Sequence, residues 1–456
     1  MKAWASIAAI VATATVAATP PLAPSAGSDT ILSLHRPEGV LVLQYRQKTP
    51  GGQSQAVTVG LAADYHYIQS PGRLTIYDYR LRRIFSVRGA TFVDDSLYAE
   101  VWRRRLQLTN RIARSQLELR KPNQPSMDES EAFWDETEFG MTTPDLPLPQ
   151  LTATTNSPEE RWALRGIPVV VVRYRLEAVP QQIRGGLRRF WSTFVEVHPV
   201  IADALAQSGR MPAELQLGQT PSTKPNGMVR WTLLEAHWNP AARFPLPPHL
   251  EAAPATAAGL YPKVFAILSA RINHRAAPPS QETYKLRAEA ALWRGRGLEA
   301  ELWLIEMDLA RGAPEVCEPG DASAYCKLSA QAESLAHSDP RISSAFGESA
   351  PSAEERGRFH DLPALYVLQL LWARLPPRTS AGGSTWESDL LAALEASPVA
   401  NFCKDAGVLY LSQGRPFAAW QTWDFGRSMV GHVPGDLLDS VDVLEADLTM
   451  KEPAFF

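Results

Sequence analysis

The sequence predicts a two-part chain: an α+β N-terminal domain, built as an antiparallel curved sheet with about two helices, followed by an all-α C-terminal domain of helix hairpins. Two observations predict it. Apolar residues alternate with polar ones in short runs as far as residue 238, and recur at helical spacing after residue 256. Between the two regions, Asn239 to Thr256 holds five prolines among small and apolar residues, which marks a linker. The chain has 456 residues, too many for one ordinary core, and 45% of them are hydrophobic and 21% charged, a globular composition. A formal net charge of −4 gives no strong electrostatic attraction to nucleic acid or membrane.

Residues 1–18 read as a secretory signal peptide. Lys2 precedes an uncharged run, Ala3 to Ala18, that ends in small side chains at Val16 and Ala18. The run falls short of the about 20 apolar residues that span a bilayer, though an uncleaved anchor stays open. No later stretch reaches that length, so the expectation is a periplasmic or secreted protein with no transmembrane segment after signal cleavage. Residues 19–38 read as a disordered leader, rich in Pro, Ala and Ser at its start.

The sheet domain is expected over 39–238. Its strand-like runs are Val40 to Arg46, Ala56 to Gly60, Asp64 to Gln69, Arg73 to Tyr79 and Arg83 to Val87, with turns at Pro50-Gly51-Gly52 and Ser70-Pro71-Gly72. Asp94 or Asp95 is placed to cap a helix running to about Arg114, whose stripe of Leu97, Val101, Leu108 and Ile112 is expected to lie across the sheet. Residues 121–160 read as an acidic loop, with Asp128, Glu129, Glu131, Asp135, Glu136 and Glu138 ahead of several prolines. Between Arg80 and Lys121 lie eleven basic and four acidic residues, and one reading folds the acidic loop back onto this basic helix. Anionic lipid is the other partner such a cluster suggests. Strands resume at Arg161 to Arg165 and Pro168 to Leu176, then come a helix from Gly186 to Gln207 and strands at Glu214 to Leu217 and Met228 to Trp238.

The all-helical domain is expected over 257–456. Helical stretches are Tyr261 to Arg275, Gln281 to Arg294, Leu298 to Arg311, Ala322 to His337, Ala353 to Leu375, Trp386 to Ala396, Phe402 to Ser412, Phe417 to Val430 and Asp436 to Leu448. Short loops imply antiparallel neighbours. Cys317 and Cys326 flank a turn with Pro319 and Gly320 and are expected to form a disulfide in an oxidising compartment. Cys403 is then left over as a buried thiol, with its pairing to either partner the alternative.

No catalytic, cofactor or metal residue is assigned. The chain has no Walker-type phosphate loop, no G-x-S-x-G and no H-E-x-x-H. His360, Asp361 and His432 are the positions where a non-local triad would be sought. The nine histidines are scattered, and no aromatic ladder interleaves the arginines as single-stranded nucleic acid would require.

Two resemblances add to this reading. Arg73-Leu74-Thr75-Ile76-Tyr77-Asp78-Tyr79, then Arg82 to Val87, then Thr91-Phe92-Val93-Asp94-Asp95-Ser96-Leu97 resemble the paired strands and strand-to-helix crossing of periplasmic lipoprotein carriers and related lipid-binding half-barrels. That resemblance covers 39–238 and implies an apolar ligand, lipid or lipoprotein-like, lined by Leu74, Ile76, Val170, Val172, Tyr174, Val229, Trp231 and Leu233; the alternative is that these rows simply pack on the domain's two helices. It departs from the family in starting with strands and in carrying a large helical tail. In the second half, Ala288, Gly295, Ala300 and Leu304 recur in type and spacing as Gly407, Gly414, Ala419 and Trp423, similar to tetratricopeptide helix hairpins, which bind protein partners. An unrelated helical bundle is the alternative. The functional expectation is an exported, non-enzymatic binding or scaffold protein whose sheet binds an apolar ligand or peptide segment and whose helices bind a protein partner. The alternative is an exported hydrolase with a non-motif active site.

Overall fold

The computed structural model describes residues 27–119, 129–144, 146, 150–156, 159–218, 228–253, 279–312, 316–318, 321, 323–337, 361–373, 385–427, 429 and 433–456. Residues 1–18, read from the sequence as a signal peptide, and the predicted helix at Tyr261 to Arg275 lie outside them.

Strand runs and helix runs separate as the periodicity demands: an open N-terminal sheet precedes a C-terminal region of helices. Helix α1 (Ser28–Ser33) leads into β1 (Glu38–Lys48), β2 (Ser54–Leu61), β3 (Tyr65–Ser70), β4 (Arg73–Asp78), β5 (Arg83–Arg88) and β6 (Thr91–Ser96), an antiparallel meander. Gly52 and Gly72 take positive φ in the first and third turns, where a side chain would strain the backbone. Helices α2 (Leu97–Leu119) and α3 (Glu129–Phe139) follow. A second meander then comes back: β7 (Leu151–Asn156), β8 (Glu159–Leu164), β9 (Ile167–Ala178), β10 (Arg210–Gly218) and β11 (Met228–Ala242), with α4 (Arg184–Thr193) and α5 (Pro199–Ser208) between β9 and β10. Antiparallel pairing of β1 with β11 fuses the meanders. Short β12 (Glu251–Ala253) runs parallel to β6, so the order is β12-β6-β5-β4-β3-β2-β1-β11-β10-β9-β8-β7.

Period-two alternation puts Leu41, Leu43, Val57, Val59, Val172 and Trp231 on one sheet face, where they share a core with Leu187 and Phe190 of α4, Ile201 and Leu205 of α5, and Phe133 and Trp134 of α3. On the other face, at the β3–β6 end, Ile76, Phe85 and Phe92 pack with Ile31 of α1 and with Phe244.

The helical region comprises α6 (Gln281–Trp293), α7 (Gly297–Arg311), α8 (Ala324–His337), α9 (Ala364–Ala373), α10 (Thr385–Ala396), α11 (Ala400–Ser412), α12 (Pro416–Arg427) and α13 (Gly435–Lys451). The two hairpins α6–α7 and α11–α12 turn at Gly295 and Gly414, both at positive φ, and bury Ala288, Ala300, Leu304, Ala419 and Trp423. Gly407 is required as glycine, because a Cβ there would meet the Trp423 indole at 2.0 Å.

Five sequence expectations are corrected. Residues 128–138 do not form a loop: most of them make α3, because Phe133 and Trp134 bury against the sheet while the carboxylates face out or pair. The same acidic segment, 121–160, also holds β7 and the start of β8. The leader 19–38 contains α1, anchored by fully buried Ile31. The linker 239–256 extends β11 to Ala242 and contributes β12, since Phe244 and Leu246 between its prolines reach back into the core. The helix expected from Gly186 to Gln207 is two helices, broken where Glu196 takes positive φ and His198 caps a new helix at Pro199. Finally, the α2 stripe does not lie across the sheet. Leu97 alone packs on the strands, and Val101, Leu108 and Ile112 share one core with Trp420 and Phe402.

Cys317 and Cys326 are bonded, with sulfur atoms 2.02 Å apart, and Cys403 is buried outside that bond. Closing so short a loop removes unfolded-state entropy worth about 3 kcal/mol. A Cys317→Ser/Cys326→Ser double variant is therefore expected to lose about 3 kcal/mol in denaturant unfolding under oxidising conditions. Addition of reductant should lower the wild type to the same stability. A variant indistinguishable from oxidised wild type would refute it.

Candidate binding surface

The eight residues expected to line an apolar cavity are divided between two cores. Leu74 and Ile76 point to the α1 side of the sheet, with Phe85 and Phe244. Val170, Val172, Trp231 and Leu233, rimmed by Val229 and Tyr174, point to the other side, beneath α4 and α5. Trp231 meets Tyr45 and Phe194 edge-on, at 5.8 and 5.6 Å between ring centres. These side chains are spent on the protein's own helices.

Three histidines with buried side chains tie elements together. His66 on β3 is sealed between Tyr77 and Phe190. Its Nδ1 lies 2.6 Å from the Tyr79 hydroxyl and its Nε2 3.4 Å from Thr193 Oγ1. Thr193 Oγ1 donates to the Arg189 carbonyl, so it is left to accept from Nε2–H while Tyr79 donates to Nδ1. Burial, then the nearby Arg189 cation, lowers His66 to about 3, so it is neutral at any physiological pH. Burial likewise pushes the Tyr79 phenol up. His35 Nε2–H donates to Asp78 Oδ2 at 2.9 Å, Asp78 Oδ1 also accepts the Leu81 amide, and the imidazole stacks on Phe244 at 3.8 Å. His198 accepts the Val200 amide at Nδ1, so its Nε2–H donates to Glu136 and couples α5 to α3.

A histidine held by a carboxylate is the frame a general base needs. Among the described residues no Ser or Cys is hydrogen-bonded to any of these three imidazoles, and the hydroxyls that reach His66 are themselves buried. His360 and His432 lie outside the described residues; Asp361 is exposed. Among the described residues no group of three or more His, Cys, Asp or Glu is placed to hold a metal ion. No described helix is long and apolar enough to cross a membrane.

The basic helix is largely neutralised by this chain's own carboxylates. Arg103 pairs with Asp95 and Glu100, Arg104 with Glu100 and Glu196, and Arg105 with Glu452. Arg111 pairs with Asp135 and Glu138, so the acidic segment does fold back on α2, as α3.

What the sheet leaves open is an edge. Strand β12, three residues long, covers β6 at one end of the sheet. At the other end β7 pairs only with β8 among the described residues, and every side chain after Leu151 is exposed. Its sequence, Leu-Thr-Ala-Thr-Thr-Asn, carries no charge and no proline. The sequence signal for this strand was weak, because threonines between prolines read as loop. In the helical half, α6 presents Leu286 and Trp293 to solvent, the indole 89% exposed.

No known protein family, curated protein or solved structure matches the chain.

Proposed function

We propose that the chain is an exported, non-enzymatic binding or scaffold protein whose sheet takes a polypeptide segment and whose helix hairpins dock a protein partner. The choice of a segment over an apolar ligand rests on one observation: the apolar rows expected to line a cavity are covered by the protein's own elements, α4 and α5 on one face and α1 with Phe244 on the other, whereas the outer backbone of β7 is unpaired among the described residues. An unpaired strand edge offers a row of N–H and C=O groups to an extended chain, and such pairing gives affinity through main-chain hydrogen bonds. The turns at Gly295 and Gly414 and the close contact at Gly407 support the tetratricopeptide-like reading of the helices, a scaffold suited to protein ligands.

Native mass spectrometry of the mature protein isolated from its own envelope tests this. Protein-sized mass increments are expected. Lipid-sized increments that disappear on delipidation would replace the segment reading with the carrier reading.

A further inference from the structure

We infer that β7 pairs, antiparallel, with β7 of a second copy of this chain. This inference rests on the segment-binding reading of the sheet and names the segment. Natural sheets blunt their free edges with charged residues, proline, bulges or a covering element. Here one edge is covered by β12, while β7 has none of these devices among the described residues. Its pairing with β8 runs unbroken from Leu151 opposite Leu164 to Asn156 opposite Glu159, with no bulge to twist the outer row away.

The strand is also complementary to itself. Thr152, Thr154 and Asn156 share one face, and Leu151, Ala153 and Thr155 share the other. About a two-fold axis through Ala153, Thr152 falls opposite Thr154 of the second copy, twice, and Leu151 opposite Thr155, twice. Threonine pairs across antiparallel strands are favourable, and all residues keep their own face. A strand without charge offers nothing for an acidic or basic peptide to recognise, but it lets two identical edges meet without repulsion. The nearest ionic side chains, Glu159, Glu160 and Arg161, stand one strand behind on β8 and are of mixed sign. Across the joined sheet the two β8 strands would be about 14 Å apart, three strand spacings, which is beyond the Debye length of about 8 Å at physiological salt. Six residues per copy make a contact smaller than the about 1,600 Å² of a stable interface, so the pairing is reversible and depends on concentration.

Sedimentation of the whole chain tests this with Ala153→Lys, Ala153→Glu and Ala153→Val. The wild type and Ala153→Val are expected to show a monomer–dimer equilibrium. Each charged variant alone should weaken it about tenfold or more, and an equimolar mixture of the two should restore it, because opposite charges then face each other. A wild type that stays monomeric, or charged variants that dimerise as it does, would overturn the proposal. Hydrogen exchange of the wild type is an independent reading that needs no variant: the amides of 151–156 must gain protection as concentration rises, and unchanged exchange also overturns it. The outcomes separate from those above. A monomer that still carries a protein partner refutes this pairing alone, and a monomer loaded only with lipid refutes both this pairing and the segment-binding reading.

Discussion

Trp420→Ala is expected to lower the unfolding free energy by about 3–5 kcal/mol and to loosen the sheet and the helical region in a single transition. Trp420 on α12 is buried, stacks on Phe417 and donates its Nε1–H to Glu445 at 3.0 Å. Its ring also faces Tyr98 of α2, 6.5 Å between centres. Helix α2 issues from β6 without a break, Ser96 to Leu97, yet its apolar stripe belongs to the helical core. The last residues reinforce the joint. Arg104 lies over the ring of Phe455, and Arg82 stands 5.4 Å from Tyr98 and 5.8 Å from Phe456. A cavity at Trp420 therefore removes support from α2, and through it from β5 and β6. Urea unfolding followed by hydrogen exchange measures this. If the variant loses protection in α11 and α12 while β5 and β6 keep theirs, the halves are independent and the coupling is wrong.

The two-part division was legible because periodicity is local: Leu41, Leu43 and Tyr45 alternate within one strand, and no distant residue is needed to see it. Nine of the twelve strands among the described residues were readable in this way, and so were the helices after residue 280 that the structure describes. The strands that escaped notice lack that signal. β6 ends in Asp94, Asp95 and Ser96, which look like a helix cap, and β12 is three residues long and pairs with β6 alone among the described residues. β7 is the more instructive case, because the neutrality that hid it is the property that makes it a candidate edge. What could not be read at all was which side each apolar row faces. Leu74/Ile76 and Val170/Val172 look alike in sequence, and only the order β4…β1-β11-β10-β9, set by long-range pairing, sends them to opposite faces. The destination of the α2 stripe was hidden for the same reason, since its partners lie some three hundred residues downstream.

Glu306 should make the protein lose stability as pH rises, and Glu306→Gln should remove most of that loss. Glu306 on α7 is fully buried; Oε1 accepts the Leu365 amide at the start of α9, at 2.8 Å. Helix N-termini favour a carboxylate, but here burial outweighs the two backbone hydrogen bonds and Ser397, and the group is pushed up to about 8 from an ordinary 4.5. Folding thus favours the protonated acid. Its contribution is complete below about pH 4.5 and is lost progressively as pH rises through about 8. In that interval each pH unit costs up to about 1.4 kcal/mol. Glu452, pushed up to about 7 by burial despite Arg105, adds a second loss, but one that is nearly complete by pH 7. The window from pH 7 to 9 therefore isolates Glu306. Glutamine keeps the acceptor for the Leu365 amide and cannot ionise, so the variant's melting temperature should stay level from pH 7 to 9 while that of the wild type falls. Equal slopes in the two proteins would mean that water reaches the Glu306 carboxyl, and that α7 and α9 are not packed over it as closely as the buried, half-paired acid requires.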